Sequence, residues 1–347
     1  MKSPIVTMLF AAFLWSLYPI LIAVGGDYIG AASFVMFINI FCGLSAFIFG
    51  FACIKNRRQV FKDMCAVPKT LNIDQWGFLF VVGLVPTLYN FCFIISIGLT
   101  SKVGAAIIIE AWPILAIFLA PLLITKQWDR VGVKEFIAAL IAMAGVVLIM
   151  VGDVRYDGDA NGLGQIFSND DNLKSIVGII VAFMGSIFLA LSVIFRAEVS
   201  NRLMDILGYS KTVAKGKGSR DNYVPFAFIG EGICRVLTML PSAFLLFIFP
   251  NELHLSPMGI GISIFVGVLI FNVGSVAVTI ALLRSSTSVI NLLYYVSPIL
   301  AVIWFYLAGM SDLTVLILIG GLLVILSNIM VLKRKKKQRM PIPKAGE

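Results

Sequence analysis

The sequence predicts an all-α integral membrane protein: ten transmembrane helices forming two inverted-topology five-helix repeats, with the N- and C-termini cytoplasmic. Three observations predict it. Ten apolar stretches fill the chain, each roughly the 20 residues that cross a hydrocarbon core of about 30 Å as a helix. The links between them alternate in charge. Segments of the two halves match in order. Composition agrees, since 60% of the 347 residues are hydrophobic and 13% charged, against about 25% charged in a soluble domain.

The stretches are 4–24, 30–54, 76–99, 103–124, 133–151, 176–195, 223–249, 257–283, 288–308 and 314–332. Only Lys2 precedes the first, which is too long for a signal-peptide core and is expected to remain as a spanning helix. With the N-terminus placed in the cytoplasm, 23 of the 27 Lys and Arg residues fall in the N-terminal residues, the inner links and the C-terminal tail, among them Arg57, Lys126, Arg196, Lys211, Arg284 and Lys333. The outer links are acidic instead, with Asp27, Asp153, Asp157, Asp170, Glu252 and Asp312. This is the positive-inside pattern in register at every link. It accounts for most of the formal charge of +9, so anionic lipid at the basic cytoplasmic face is the expected partner and nucleic acid is not.

The organisation follows from this register. Residues 1–152 form the first repeat, 153–174 an acidic outer link and 175–332 the second repeat, with a mobile basic cytoplasmic link at 197–222. Residues 333–347 form a basic cytoplasmic tail. Stretches three to five match stretches eight to ten: Gly83-Leu84 against Gly267-Val268, Thr100-Ser101 against Ser285-Ser286, and Pro113-Ile114-Leu115-Ala116 against Pro298-Ile299-Leu300-Ala301. Five spans per copy is odd, so the second copy enters from the opposite side, as in inverted-repeat secondary transporters.

The chain resembles the drug/metabolite transporter superfamily, of the EamA type. The resemblance rests on the 5+5 layout and on Ala11-Ala12-Phe13-Leu14-Trp15-Ser16. It rests also on the Ser/Thr-rich helix starts at Thr100-Ser101 and Ser285-Ser286, on Pro113 and Pro298, and on Gly145-Val146-Val147-Leu148. It implies a central cavity lined by helices one to four and six to nine, with five and ten peripheral. It also implies transport of small metabolites or drugs, often export. The sequence departs from the family at Thr125-Lys126-Gln127 and Gly309-Met310-Ser311-Asp312, where a Gly-Glu pair is usual. It departs again at Phe37-Ile38-Asn39, where an arginine is common, and in having no acidic residue within the first helix.

Ionisable residues deep in lipid are costly and mark function. Glu110 lies roughly 15 Å in from the outer end of helix four, and Glu231 and Arg235 lie roughly 12 and 18 Å in from the inner end of helix seven, at 1.5 Å per residue. Glu231 and Arg235 are spaced i,i+4 and share a helix face. They read either as a self-neutralised pair or as a receiver for an anionic substrate group. Glu110 has no basic neighbour on its own face and suits a proton-coupling residue or a cation site. Facing Arg235, it would complete a site for both ends of a zwitterion. Asn39 and Asn90 lie at middle depth and read as interhelical glue or as site residues. Trp15 and Tyr295 are aromatic candidates for a cavity wall. Pro113 and Pro298, at matching places in the repeats, are candidate hinges.

Other motifs carry less. Asp157-Gly158-Asp159-Ala160-Asn161-Gly162 opens like a calcium loop, but Ser168 stands where the bidentate glutamate belongs. No Walker-type Gly-Lys-Ser/Thr run occurs, and no Ser-His-Asp or metal-ligand constellation is visible, so neither an enzyme nor a cofactor is implied. The reading is a secondary-active transporter of the cytoplasmic membrane. It moves a small polar or zwitterionic, amino-acid-like metabolite by alternating access, in the direction of export, with protons as the candidate coupling ion. Proton-driven efflux of lipophilic cations and a non-transporting scaffold acting through the basic surface are the alternatives.

Overall fold

The computed structural model describes residues 3–54, 57–99, 105, 108–109, 112, 115–116, 119, 123, 133–154, 170–206, 223–248, 255–284, 293–294, 296–309 and 314–332. Among these residues the chain is helical throughout, with no strand. The helices are α1 Pro4–Ser16, α2 Tyr18–Ile29, α3 Ala31–Ala52, α4 Arg57–Thr70, α5 Ile73–Leu99, α6 Val133–Val154, α7 Asp170–Ile206, α8 Tyr223–Ile248 and α9 Pro257–Phe265. A π-helical segment π1, Val266–Gly274, joins α9 to α10, Ser275–Arg284. Then come α11, Val296–Leu307, and α12, Val315–Leu332.

Six stretches of described helix are long and apolar enough to cross a membrane: Pro4–Ile29, Ala32–Ala52, Ile73–Leu99, Ile176–Ile206, Val224–Ile248 and Pro257–Ala281. Two shorter apolar stretches are Phe136–Gly145 and Val315–Ser327. Their exteriors are apolar as lipid requires: Ile48, Phe80, Leu240 and Phe247 are all exposed, an arrangement that water would penalise and acyl chains do not.

The first span is longer than its expected end at residue 24. It breaks at Leu17, whose N–H bonds the Leu14 carbonyl at 3.2 Å, and continues to Ile29. Pro19 explains the break, because it has no N–H for the Trp15 carbonyl four residues back. Two links also prove to be partly helical. In the first, α4 buries Val60 against Ile54, Leu203, Met204, Phe226 and Ile229. At the second, α7 continues past residue 195 because Val199, Leu203 and Met204 are buried. Residues 197–206 are therefore helix where a mobile link was expected. The rest of that link, the calcium-like residues 157–162 and the tail at 333–347 lie outside the described residues.

The helices pair across the chain's midpoint. α3 packs on α8, α5 on α7, and α6 on α12, while α1 packs on π1 and α10. Direction can be read from close contacts. A Cβ added at Gly43 would meet Met239 and Arg235, and one at Gly50 would meet Pro225 and Ile229, so α3 and α8 are antiparallel. Gly185 lies against Cys92 and Arg202 stacks on Phe78, so α5 and α7 are antiparallel. Gly274 lies against Trp15 and Gly259 against Ile29, so the first span and α9–π1 are antiparallel too. α3 also packs on π1 and α5 on α8. Glycine allows both approaches: a Cβ at Gly267 would stand 2.8 Å from the Ile38 carbonyl oxygen, and one at Gly83 would stand 2.5 Å from that of Leu237. The main core gathers Met8, Trp15, Tyr18, Phe34, Ile38, Phe93, Ile109, Ile270 and Phe305 from both halves.

Candidate functional site

Where α3, α7, α8 and π1 meet, the core carries charge. Glu231 on α8 is 3% exposed, Arg235 one turn later 3%, and Arg196 on α7 6%. Among the described residues these are the buried charges. Glu231 Oε1 accepts from Arg235 Nε at 2.8 Å and stands 2.7 Å from Nη2 of the same guanidinium. Arg196 Nη1 reaches the same oxygen at 3.3 Å. Two guanidiniums thus share one carboxylate, leaving one positive charge in excess among the described buried residues.

The two arginines are held differently. Arg235 Nη1 donates to Asn39 Oδ1 at 3.0 Å, and its Cζ sits 4.5 Å over the Phe271 ring, a cation–π arrangement. Asn39 Nδ2 in turn reaches Ser242 Oγ at 3.3 Å, which fixes the amide. Arg196 has weaker holds: Nη1 to Ser275 Oγ at 3.1 Å and Nε to the Ser192 carbonyl at 3.3 Å. The Cys42 thiol points to Glu231 Oε1 at 3.9 Å. Asn39 and Cys42 come from the first half, and Arg196, Glu231, Arg235, Phe271 and Ser275 from the second.

The π-helical segment shapes this centre. Its wider turn carries Phe271 and Asn272 and ends one residue before Ser275. Asn272 Nδ2 donates to Ser45 Oγ at 2.8 Å, pinning the segment to α3. Such π-turns recur at functional sites.

A small cavity of about 10 Å³ adjoins the centre on the Arg196 side, lined by Trp15, Trp112, Leu189, Val193, Arg196, Ser275, Val278, Thr279 and Tyr294. That is room for about one water. Trp15 packs on Phe271 with ring centroids 4.9 Å apart, and Trp112 meets Tyr294 edge-on at 4.9 Å. The indole Nε1 atoms of Trp15 and Trp112 are buried and have no hydrogen-bond partner among the described residues.

Of the expected site residues, the structure gathers Glu231, Arg235 and Asn39 into one network and sets Trp15 beside it. Asn90 is buried, its Oδ1 without a partner among the described residues, and no contact ties it to the centre. Glu110, Tyr295 and Pro113 lie outside the described residues. Pro298 stands in the first turn of α11, where a missing N–H breaks no helical bond. Trp304 on the same helix donates from Nε1 to Ser16 Oγ at 2.9 Å, docking α11 beside the break in the first span. Arg196 is the residue that sequence reasoning missed. Its place one residue past an apolar run assigned it to the cytoplasmic link, whereas the helix carries it inward. Ser192, Arg196 and Ser200 at i, i+4 spacing, all buried, were the available signal of a polar inward face.

Residues 2–151 match the EamA-like transporter family. The resemblance drawn from the ordered motifs is thereby borne out. The chain is also 26% identical over 299 residues to an uncharacterized transporter of Haemophilus influenzae, covering 84% of this chain and 85% of that protein. A solved protein crystal structure shares the fold, with a TM-score of 0.61 at 15% identity over 94% of this chain and 95% of its own. The match to that family and the six long apolar helices among the described residues together make this a multi-pass membrane protein.

Proposed function

We propose that this EamA-type chain is a secondary-active carrier of the cytoplasmic membrane. It moves a small polar metabolite bearing an anionic group, amino-acid-like zwitterions among them, outward by alternating access. In this reading ten spans form two inverted five-helix repeats with both termini in the cytoplasm. The helix pairing supports it. Counted along the ten apolar stretches, the third packs antiparallel on the sixth, and the eighth antiparallel on the first. The second packs on the eighth, and the seventh on the third. Exchanging each stretch for the one five places away turns each contact into its counterpart. Gly83 and Gly267, matched in the sequence, are the close-approach points of the last two contacts.

One observation carries the functional reading: among the described residues, a buried charged network joins the two halves of the chain. A purely structural fold has no need of it, because burying ions costs several kcal/mol each even when they are paired. A carrier does need it, since polar groups must greet the solute and be re-paired when it leaves. The positive excess also argues against a lipophilic cation as cargo. The one-water cavity corresponds to a closed state, in which Glu231 holds both arginines until solute displaces it.

The test is flux in proteoliposomes against a panel of amino acids and other small metabolites, with and without a pH gradient. The wild type moves a subset of them, and Glu231→Gln, checked for folding by gel filtration, moves them at least tenfold more slowly. A wild type that moves nothing in the panel, or a Glu231→Gln variant with undiminished flux, overturns the reading. With protons as the coupling ion, Glu110→Gln leaves flux but removes its response to the pH gradient.

A further inference from the structure

Resting on the carrier reading, we infer that Arg196 is the group that receives the solute, and that it takes the carboxylate of a small monocarboxylate with an apolar body. Three features of the site carry this. Arg235 is the more tightly held: Glu231 takes its Nε and Nη2 side at 2.7 to 2.8 Å, Asn39 its Nη1 at 3.0 Å, and Phe271 its face. Arg196 is held more loosely: its contacts with described residues are 3.1 to 3.3 Å long, and it lines the cavity while Arg235 does not. It therefore bears the positive charge that the shared carboxylate leaves in excess.

The walls around Arg196 offer donors. Trp15 and Trp112 present buried, unpartnered indole N–H groups, which donate only. The hydroxyls beside Arg196 are already engaged: Ser275 Oγ accepts from Arg196, and Thr279 Oγ1 donates to the Ser275 carbonyl at 3.0 Å. A guanidinium flanked by N–H donors complements a carboxylate, which accepts only and binds Arg through two parallel bonds. The remaining walls, Leu189, Val193, Val278, the Tyr294 ring and the two indole rings, suit an apolar body. Glu231 is the acidic group at the centre and is taken twice over, so the described walls keep no carboxylate for an ammonium group. Because the space holds about one water, the solute enters as these walls part.

The experiment uses the full-length protein in detergent and follows its thermal stability with acetate, butanoate and phenylacetate, each beside its primary amide. The carboxylates raise the midpoint in a saturable way, more strongly as the body grows, and the amides do not. Arg196→Gln raises the apparent dissociation constant at least tenfold. Arg196→Lys keeps the preference for carboxylate over amide with weaker binding. Trp112→Phe, which deletes one N–H and keeps a ring, weakens carboxylate binding severalfold and serves if the arginine variants fail to fold. Amides that stabilise as well as carboxylates, or carboxylate binding unchanged in Arg196→Gln and in Trp112→Phe, overturn the assignment. The two readings fail separately. Vesicle flux of solutes without carboxylate preference leaves the carrier standing and sinks the role of Arg196. Arg196-dependent binding with no flux of any solute supports the site and sinks the carrier.

Discussion

At the scale of single residues, the charged centre is a case of one acid serving two bases. Removing Glu231 leaves two buried guanidiniums uncompensated, so Glu231→Met should cost about 3–5 kcal/mol of folding stability. Deleting a second charge should give some of that back. Glu231→Met with Arg235→Leu leaves one unpaired guanidinium instead of two, and the double variant should melt above the single one, a non-additivity expected of residues in one network. Melting curves in detergent would decide, and a double variant no more stable than Glu231→Met would mean that the two arginines are not competing for one oxygen. Asn39→Leu strips a buried hydrogen bond to a charged group and should cost about 1.5–3 kcal/mol. The pair Glu231 and Arg235 was legible in the sequence because i,i+4 charges inside an apolar run have few explanations. Asn39 was legible as a mid-depth amide. Arg196 was not, because counting cations by link assigns every basic residue near a helix end to the cytoplasm, and only tertiary packing of Val199, Leu203 and Met204 shows that the helix runs on.

At the scale of elements, the helices are set by glycines rather than by propensity. Gly83→Ala and Gly267→Ala each drive a methyl into a neighbouring carbonyl, at 2.5 Å and 2.8 Å before any relaxation. Each should separate its helix pair and cost about 1–3 kcal/mol. Gly77, Gly98 and Gly321 face open space, and alanine there should be neutral or stabilising by up to about 1 kcal/mol through backbone entropy. Thermal midpoints of the five variants test the contrast; equal effects in both groups would remove the close-approach account. The sequence match of Gly83-Leu84 with Gly267-Val268 pointed to this pairing, but could not say what the glycines touch. The helical α4 and the π-turn in the eighth stretch were not legible at all. The first is amphipathic but too short and polar to read as a span, and its apolar face is held by Leu203 and Met204, more than 140 residues from Val60 in sequence. The second depends on where Asn272 finds Ser45, a contact between halves that no local pattern announces.

At the scale of the whole molecule, alternating access requires that a buried group near the centre become reachable from each side in turn, and the native cysteines allow this to be measured. Cys42 is buried beside Glu231, while Cys53 and Cys65 are exposed, just past the C-terminal end of α3 and on α4. In sealed vesicles a Cys65-only protein should react with an impermeant maleimide from the face that carries the basic links, and not from the other. Reaction from the opposite face would reverse the orientation. A Cys42-only protein should react slowly in either case, because its side chain is fully buried. Adding a transported solute should change that rate severalfold, as the walls formed by the first, sixth and eighth spans part and close. If the solute leaves Cys42 labelling unchanged while flux proceeds, the path does not pass the Glu231–Arg235 centre, and the charges there hold the halves together without meeting the cargo.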